Sequence, residues 1–444
     1  MQNALTPIQR RFILGFGVTG QSCARYFSRH GLAYSVIDTV MAAEKAADLS
    51  SLFLADEWYV GNACQSMTFS SSDLLVVSPG IALSHPIVID ALAAGAQITS
   101  DIELFNDQVT QPVIAVTGSN GKTTTVHLIT HILKQQGLRV ALLGNVGEPV
   151  LDMLDSSAEA VDVVVLELSS FQLERISDLK ANVACILNVT PDHLDRHPSF
   201  ADYAKAKRRI YQGATYQVFH YEDAETYPDT PTQTLSFGFD SGDITLTADC
   251  IQVKGLALLN LSDIPLKGKH NALNVMAALA CCQRFGVDYP AQIDAIRTFT
   301  GLPDRCEWCD RIDGVTYIND SKGTNVGATL SALEGLSANK NILLIAGGED
   351  KGLDYQPLSN ALHAFAKELI LLGECAPKIA ESVTMPATFV STLDEAVHLA
   401  HQMAEPSDVV LLSPASASFD MFDNYHQRGQ VFKAAVKRLK EARL

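Results

Sequence analysis

The sequence predicts an α/β protein of three domains, on three observations. The chain has 444 residues; short apolar runs alternate with helical patterns in separate series; and a glycine-rich loop sits between one apolar run and a helix. At roughly 100 to 200 residues per domain the length allows two to four, and the pattern divides at 1–100, 101–301 and 302–444. Hydrophobic residues make up 47% and charged residues 19%, a composition able to bury several cores. The net charge of −17 disfavours affinity won by neutralising nucleic-acid phosphates. Met1 to Gln9 is mixed and polar, not a basic-then-apolar leader, and no apolar run reaches the ~18 residues a bilayer needs. These features predict a cytoplasmic protein with no membrane or nucleic-acid partner. Nine scattered cysteines predict reduced thiols, and the lone C-x-x-C of Cys306 and Cys309 lacks the further ligands zinc requires.

Taken in order, Arg11–Gly15, Tyr34–Asp38 and Leu74–Ser78 read as strands of a parallel sheet. A second series follows: Val113–Thr117, Val140–Leu143, Val161–Leu168 and Ala184–Val189, near-continuous apolar runs that predict strands buried on both faces. Residues 216–266 loosen into short alternating pieces, which predict a small antiparallel subsheet or an insertion. A helix over Asn271–Arg284 precedes Gly-Leu-Pro at 301–303, a hinge signal. The last series, Val315–Asn319, Asn341–Ala346, Glu368–Leu372 and Val409–Leu412, predicts another open α/β sheet.

Residues 117–125 read TGSNGKTTT, after a strand and before a helix that stops at Gly137. Gly118 and Gly121 let backbone amides of the Gly118, Ser119, Asn120 and Gly121 loop approach phosphate oxygens. The helix N-terminus adds partial positive charge, Lys122 can reach terminal phosphates, and Thr123, followed by Thr124, is placed to ligate magnesium. Val116 stands where a full Walker motif has its first glycine, so this is a shortened variant. Glu167, ending the strand Val161–Leu168, is the candidate carboxylate for the metal, and His193 in the turn after Ala184–Leu187 is a candidate ligand for a second. Asp192, Asp195 and His197 are candidate helix caps.

Gly15, Gly17 and Gly20 form G-x-G-x-x-G after a strand, with Asp38 at the end of the next, where a ribose-binding acid belongs. Alone this predicts a nicotinamide oxidoreductase, but that reading leaves the second loop and Glu167 unexplained. The same turn and helix dipole would hold a UDP diphosphate equally well.

The ordered blocks GFGVTG (15–20), SPG (78–80), GSNGKTT (118–124), GNVG (144–147), LELSSFQLE (166–174), NVTPDHLDRH (188–197), HNALN (270–274), GLPDR (301–305), NDSKGTN (319–325) and SPASASFDMF (413–422) resemble the Mur ligases across the whole chain. The resemblance implies a Rossmann-like UDP-binding domain, a central P-loop ATPase-like domain and a Rossmann-like acceptor domain. It implies an ATP-dependent, acyl-phosphate-forming ligase of cell-wall peptidoglycan synthesis, monomeric, acting on UDP-N-acetylmuramoyl-L-alanine and D-glutamate. The UDP-substrate would meet Gly17, Val18, Thr19, Asp38, Thr39 and Gly80, with Asn145 and Ser169 near its reacting carboxylate. The family's arginine after the Asp-Thr pair is Val40 here. Lys122 and Thr123 would hold ATP phosphates, joined by Asn274, Arg305 and Asp320. Two magnesium ions would rest on Thr123, Glu167, His193 and Lys207, the last as a carbamate. Lys322, Thr324, Lys351, Ser418, Phe419 and Tyr425 would surround D-glutamate, with tyrosine where phenylalanine is expected at 425. Competing readings are a noncatalytic ATP-binding regulator and, within the ligase class, a sibling adding L-alanine, a diamino acid or a dipeptide, or a folylpolyglutamate synthase.

Overall fold

A computed structural model describes residues 8–154, 161–193, 196–266, 268–337, 339–350 and 352–442. They form two compact units, one built from the chain up to Thr245 with Ala277–Gln292, the other from Leu246–Met276 with the chain from Ile293 onward.

In the first unit β1 (Arg10–Leu14), β2 (Ser35–Asp38), β3 (Trp58–Val60), β4 (Asp73–Val77) and β5 (Gln97–Thr99) make a parallel sheet in the order β3-β2-β1-β4-β5. Alternate residues enter opposite cores: Ile13, Val36 and Val76 pack with Phe16 and Phe27, while Phe12, Ile37 and Leu75 pack with Val88 and Ala91. Burial on both faces explains the unbroken apolar runs. β3 and β5 escape the sequence pattern because they are three-residue edge strands whose one buried residue is Thr99. The chain order reverses between β1 and β4, so the glycine turn after β1 and the Ser78–Gly80 loop after β4 lie side by side; Ser78 Oγ donates to Gly15 O at 2.8 Å.

The second sheet contains β6 (Val113–Thr117), β7 (Val140–Gly144), β8 (Val163–Glu167), β9 (Val183–Ile186), β10 (Tyr216–His220), β11 (Gln233–Gly238) and β12 (Ile244–Thr247), in the order β12-β11-β10-β9-β6-β8-β7. Its switch point lies between β6 and β9, which brings the loop after Thr117 beside the turn after Ile186. The antiparallel pairing expected over 216–266 is found at residues 250–260, while the strands before them are parallel. β10 and β11 are parallel to β9 and to each other, and β12 pairs parallel with β11. Their looser alternation reflects partial exposure: Gln233 and Thr234 of β11 are exposed, while Val218, Ser236 and Phe237 are buried.

In the second unit β13 (Cys250–Val253) and β14 (Leu256–Asn260) form an antiparallel hairpin. Its main sheet runs β15-β16-β20-β17-β18-β19, from β15 (Glu307–Ile312), β16 (Val315–Asn319), β17 (Ile342–Ala346), β18 (Ala366–Leu371), β19 (Thr388–Phe389) and β20 (Val409–Leu412). Only the β15–β16 pair is antiparallel, and two cores cover the two faces. The helix expected over 271–284 is found at Lys269–Cys282. No helix among the described residues is long and apolar enough to cross a membrane.

Candidate active site

β6 ends at Thr117, and the chain turns through Gly118–Gly121 into the helix Lys122–Gln135. Gly121 caps that helix at φ +84°, a left-handed conformation that favours glycine. A helix's first amides have no acceptor within the helix, so this turn sits where a phosphate can meet them. The loop is braced from β9's end: Asn188 Oδ1 accepts from Asn120 N at 2.9 Å, and Asn188 O accepts from Ser119 N at 2.9 Å. Ser119 Oγ donates to Thr190 O at 3.0 Å and lies 2.9 Å from the buried Tyr203 hydroxyl. Asn188, Thr190 and Tyr203 thus hold the loop's shape, a role their residue types did not signal.

Two lysine side-chain nitrogens converge on one carbonyl. Lys122 Nζ donates to Gly118 O at 2.7 Å and Ser119 O at 2.9 Å, and Lys207 Nζ donates to Gly118 O at 2.8 Å. Lys207 is 1% exposed. Burial first, then the charge of Lys122, hold its pKa well below that of an ordinary lysine, while Asp192 and Glu167 pull it back up. Glu167 ends β8 and is also 1% exposed. Its Oε1 accepts from Asn145 Nδ2 at 2.8 Å, and its Oε2 is buried without a hydrogen-bond partner. Asn145 is carried there by Gly144, where a Cβ would sit 2.3 Å from Glu167 O.

His193 has φ +55° and a side chain 46% exposed, its ring 4.9 Å from that of Phe171. The expected capping roles nearby are corrected. Ser199 caps the helix Phe200–Arg208, accepting from Asp202 N at 3.2 Å, because it immediately precedes the first helical residue. His197 is buried, stacks on Phe171 and lies 3.0 Å from Ser170 Oγ. Asp192 Oδ1 accepts from its neighbour His193 N at 2.9 Å. Asp195 lies outside the described residues.

A cleft of about 250 Å³ brings together Val18 and Thr19 from the first glycine turn, Pro79, and Gly144, Asn145 and Gln172 from the second sheet. Ser169 caps the short helix beside it, in a reciprocal box with Gln172. Asp38 does not point outward as a ribose-binding acid: its Oδ2 accepts from Phe16 N at 2.9 Å and its Oδ1 from Val40 N and Met41 N at 3.1 and 3.0 Å. It ties the glycine turn to the end of β2, leaving Thr39 and Val40 exposed. Gly17 is exposed, and so is Gly80, whose carbonyl accepts from Arg196 Nη1 at 3.2 Å. Arg196 also donates to Ile81 O at 2.7 Å, and buried Arg175 to Ser78 O at 2.9 Å, so two guanidinium groups anchor the Ser78–Ile81 loop.

Asp101 also lines this cleft, buried, with Oδ1 unpartnered. Burial raises its carboxyl from 3.8 to about 6, against the pull of its own helix amides and of Arg175. The folded state therefore keeps a proton that the unfolded chain has released between those values, so stability falls as pH rises through that window and stays lower above it. Asp101→Asn should stabilise the protein by up to about 3 kcal/mol near neutral pH. Urea denaturation should show the gain shrinking as the pH is taken down through the same window.

The remaining predicted residues lie in the second unit. Asn274 is buried and donates to Asn271 Oδ1 at 3.1 Å. Asp320 accepts from Ser413 Oγ at 2.7 Å and Cys306 N at 3.2 Å, and burial pushes its carboxyl up to about 6. Arg305 is half-buried, as is Thr324. Lys322 Nζ sits 3.9 Å from the centre of the Tyr425 ring. Ser418 is buried and Phe419 exposed, while Lys351 lies outside the described residues. Buried Arg428, not singled out by the sequence, ties Ser321 O (2.8 Å) to Ala417 O (3.0 Å), so the segments carrying Lys322 and Ser418 are pinned together.

A phosphate-type loop with two lysines and a buried, half-partnered acid, in a chain of parallel α/β sheets, defines a nucleotide-dependent enzyme. Three family models match the chain: "Mur ligase MurD-like, N-terminal domain" over 9–100, "Mur ligase middle domain" over 116–282 and "Mur ligase, glutamate ligase domain" over 304–416. UDP-N-acetylmuramoylalanine--D-glutamate ligase of Legionella pneumophila (strain Paris) is 42% identical, covering 96% of this chain and 98% of its own. Those of Marinobacter nauticus and Pseudomonas aeruginosa are 43% and 40% identical, each covering 97% of this chain and 98% of its own. Among solved structures, UDP-N-acetylmuramate-alanine ligase MurC of Thermotoga maritima superposes with a TM-score of 0.60 at 20% identity, covering 98% of this chain and 99% of that one. A pseudomurein peptide ligase type C of Methanothermus fervidus gives 0.63 at 17%, covering 97% and 100%. The chain belongs to the Mur ligase family.

Proposed function

We propose that this enzyme joins D-glutamate to UDP-N-acetylmuramoyl-L-alanine with conversion of ATP to ADP and phosphate, a step of peptidoglycan synthesis. The observation that carries the reading is the buried Glu167 with an unused oxygen, in a chain whose phosphate loop gathers Lys122 and Lys207 on one carbonyl. Full-length relatives at about 40% identity, named for that reaction, support it. The matched spans likewise support a division at 1–100, 101–301 and 302–444 into UDP-substrate, ATP and acceptor domains. A monomer working in the cytoplasm, without nucleic-acid or membrane partners, belongs to the same reading.

A carboxylate is a poor acyl donor, so its oxygen first attacks the γ-phosphorus of ATP, giving an acyl phosphate and ADP. The amine of D-glutamate then adds to the acyl carbon, and the tetrahedral intermediate collapses to amide and phosphate. Such chemistry asks the protein chiefly for alignment and charge neutralisation. Gly118, Ser119, Asn120, Gly121, Lys122, Thr123 and Thr124 cradle the phosphates, and Asn274, Arg305 and Asp320 hold the rest of the nucleotide. Gly17, Val18, Thr19, Asp38, Thr39 and Gly80 hold the UDP end, the carboxylate of Asp38 acting through backbone amides. Asn145 and Ser169 lie near the reacting carboxylate. Lys322, Thr324, Lys351, Ser418, Phe419 and Tyr425 receive D-glutamate, whose two carboxylates suit two lysines.

Two magnesium ions would rest on Thr123, Glu167, His193 and Lys207. The donor set fits: Glu167 offers a buried oxygen, and among the described residues no three His, Cys, Asp or Glu side chains gather to hold a metal unaided. Oxygens from phosphate and from a carbamate on Lys207 complete the ligands, as a hard cation prefers. Bound magnesium neutralises phosphate charge during transfer. Lys207 suits carbamylation because burial favours the neutral amine, the form that adds carbon dioxide. Intact-mass measurement under bicarbonate should show one carboxyl adduct that Lys207→Arg abolishes; an unmodified lysine in active enzyme would remove it from the ligand set.

Val40 is 93% exposed beside Asp38 and Thr39. An arginine there would gain a contact with the base worth about 0.5–1 kcal/mol. Val40→Arg should lower the KM for the UDP-substrate by about 2- to 5-fold with kcat unchanged. Phosphate release measured with UDP-muramoyl-alanine and a panel of amino acids tests the whole reading. Stimulation by D-glutamate above all others is expected, and equal stimulation by L-alanine or a diamino acid would refute the acceptor.

A further inference from the structure

The incoming amine reaches the enzyme as an ammonium with three protons and leaves as an amide with one. Two protons must depart, and no residue named so far takes them. In the second unit, His426 stands beside the residues assigned to the acceptor. Its ring lies 4.1 Å from that of Tyr425, over which Lys322 Nζ sits at 3.9 Å. Its Nδ1 lies 2.6 Å from Oδ2 of Asp304, while the side chain is 58% exposed. The tautomer such contact favours puts the proton on Nδ1, donating to the carboxylate, and leaves Nε2 with its lone pair at the ring's other edge.

Asp304 is built for that task. It is 2% exposed and fixed by the rest of its surroundings: Oδ1 accepts from Asn319 Nδ2 at 2.7 Å, its amide donates to Glu307 Oε2 at 3.0 Å, and its carbonyl accepts from Lys322 N at 3.0 Å. The pair lies 122 residues apart in sequence, joining the GLPDR segment to the start of the helix Tyr425–Glu441 and to the loop carrying Lys322. The charged groups around the ring are Asp304 on one side, Lys322 near Tyr425, and Arg428 on its own helix, with Glu307 and Lys433 behind Asp304.

We propose that His426, oriented by Asp304, accepts a proton from the amine of the acceptor, an inference that rests on the ligase reading above. One N–H bond of the ammonium breaks and its proton passes to Nε2, which frees the lone pair that bonds to the acyl carbon. The second proton leaves to water from the tetrahedral intermediate, the C–O bond to phosphate breaks with its electron pair, and the imidazolium returns its proton to water.

The test uses His426→Gln in the full chain, with D-glutamate and, separately, hydroxylamine, an amine already neutral near pH 7 that traps acyl phosphate as a hydroxamate. With D-glutamate, kcat should fall about 100-fold near pH 7 with KM for D-glutamate little changed. The deficit should shrink as pH rises, and hydroxamate formation should match wild type. An unchanged kcat and pH profile would overturn the proposal, as would a defect confined to KM or a parallel loss of hydroxamate. A wild-type enzyme that forms hydroxamate but ignores D-glutamate would instead show the acceptor reading wrong, and the role of His426 with it.

Discussion

Lys122→Ala is expected to lower phosphate release by about 100- to 1000-fold while leaving the fold intact. The magnitude is that of removing one preorganised charge from a group-transfer site. The Lys122 ammonium lies against Gly118 O and Ser119 O. Its removal leaves the first carbonyl still paired with Lys207 and the loop still braced by Asn188, so stability should change little. The loss should fall on kcat more than on the KM of the UDP-substrate, because Val18, Thr19 and Asn145 line a separate cleft. ADP formation at the wild-type rate with all three substrates would show that Lys122 does not serve the phosphates.

Glu167→Gln is the second large effect, and it should separate activity from stability. Glutamine keeps an oxygen to accept from Asn145 Nδ2 but removes a buried charge with one oxygen unpartnered. Uncompensated buried charge is costly, so the variant without ligands should melt no lower than wild type. Activity should fall about 100-fold or more and recover in part at high magnesium, since a neutral ligand weakens metal affinity without erasing the site. Full activity with an unchanged magnesium requirement would exclude Glu167 as a ligand, and a variant that unfolds would show the carboxylate to be structural.

What could be read from the sequence followed from how tightly chemistry restricts residue type. The loop at 117–125 is legible because a tight turn, a phosphate and a helix start together demand glycine, lysine and hydroxyl in a fixed order. Strands buried on both faces were equally plain, since their apolar runs are unbroken. Short or partly exposed strands were not: β3 and β5 have three residues each, and β10 to β12 carry alternating patterns that do not distinguish a parallel neighbour from an antiparallel one. Side-chain direction was the other blind spot. The spacing of Asp38 from the glycine turn suits a ribose-binding acid, yet its carboxylate is taken up by three backbone amides. Asp101, Arg175, Tyr203 and Arg428 matter through buried contacts, and His426 through a partner 122 residues away, none of which leaves a local pattern.

The first unit gathers the proposed UDP-end and phosphate residues, and the second gathers those assigned to the acceptor. The most direct measurement is mass analysis of the product after incubation with ATP, magnesium, UDP-N-acetylmuramoyl-L-alanine and glutamate of each hand. Gain of one glutamyl residue with the D-isomer alone, matched mole for mole by ADP, is the predicted result. No mass gain with D-glutamate, or equal gain with the L-isomer, would contradict it.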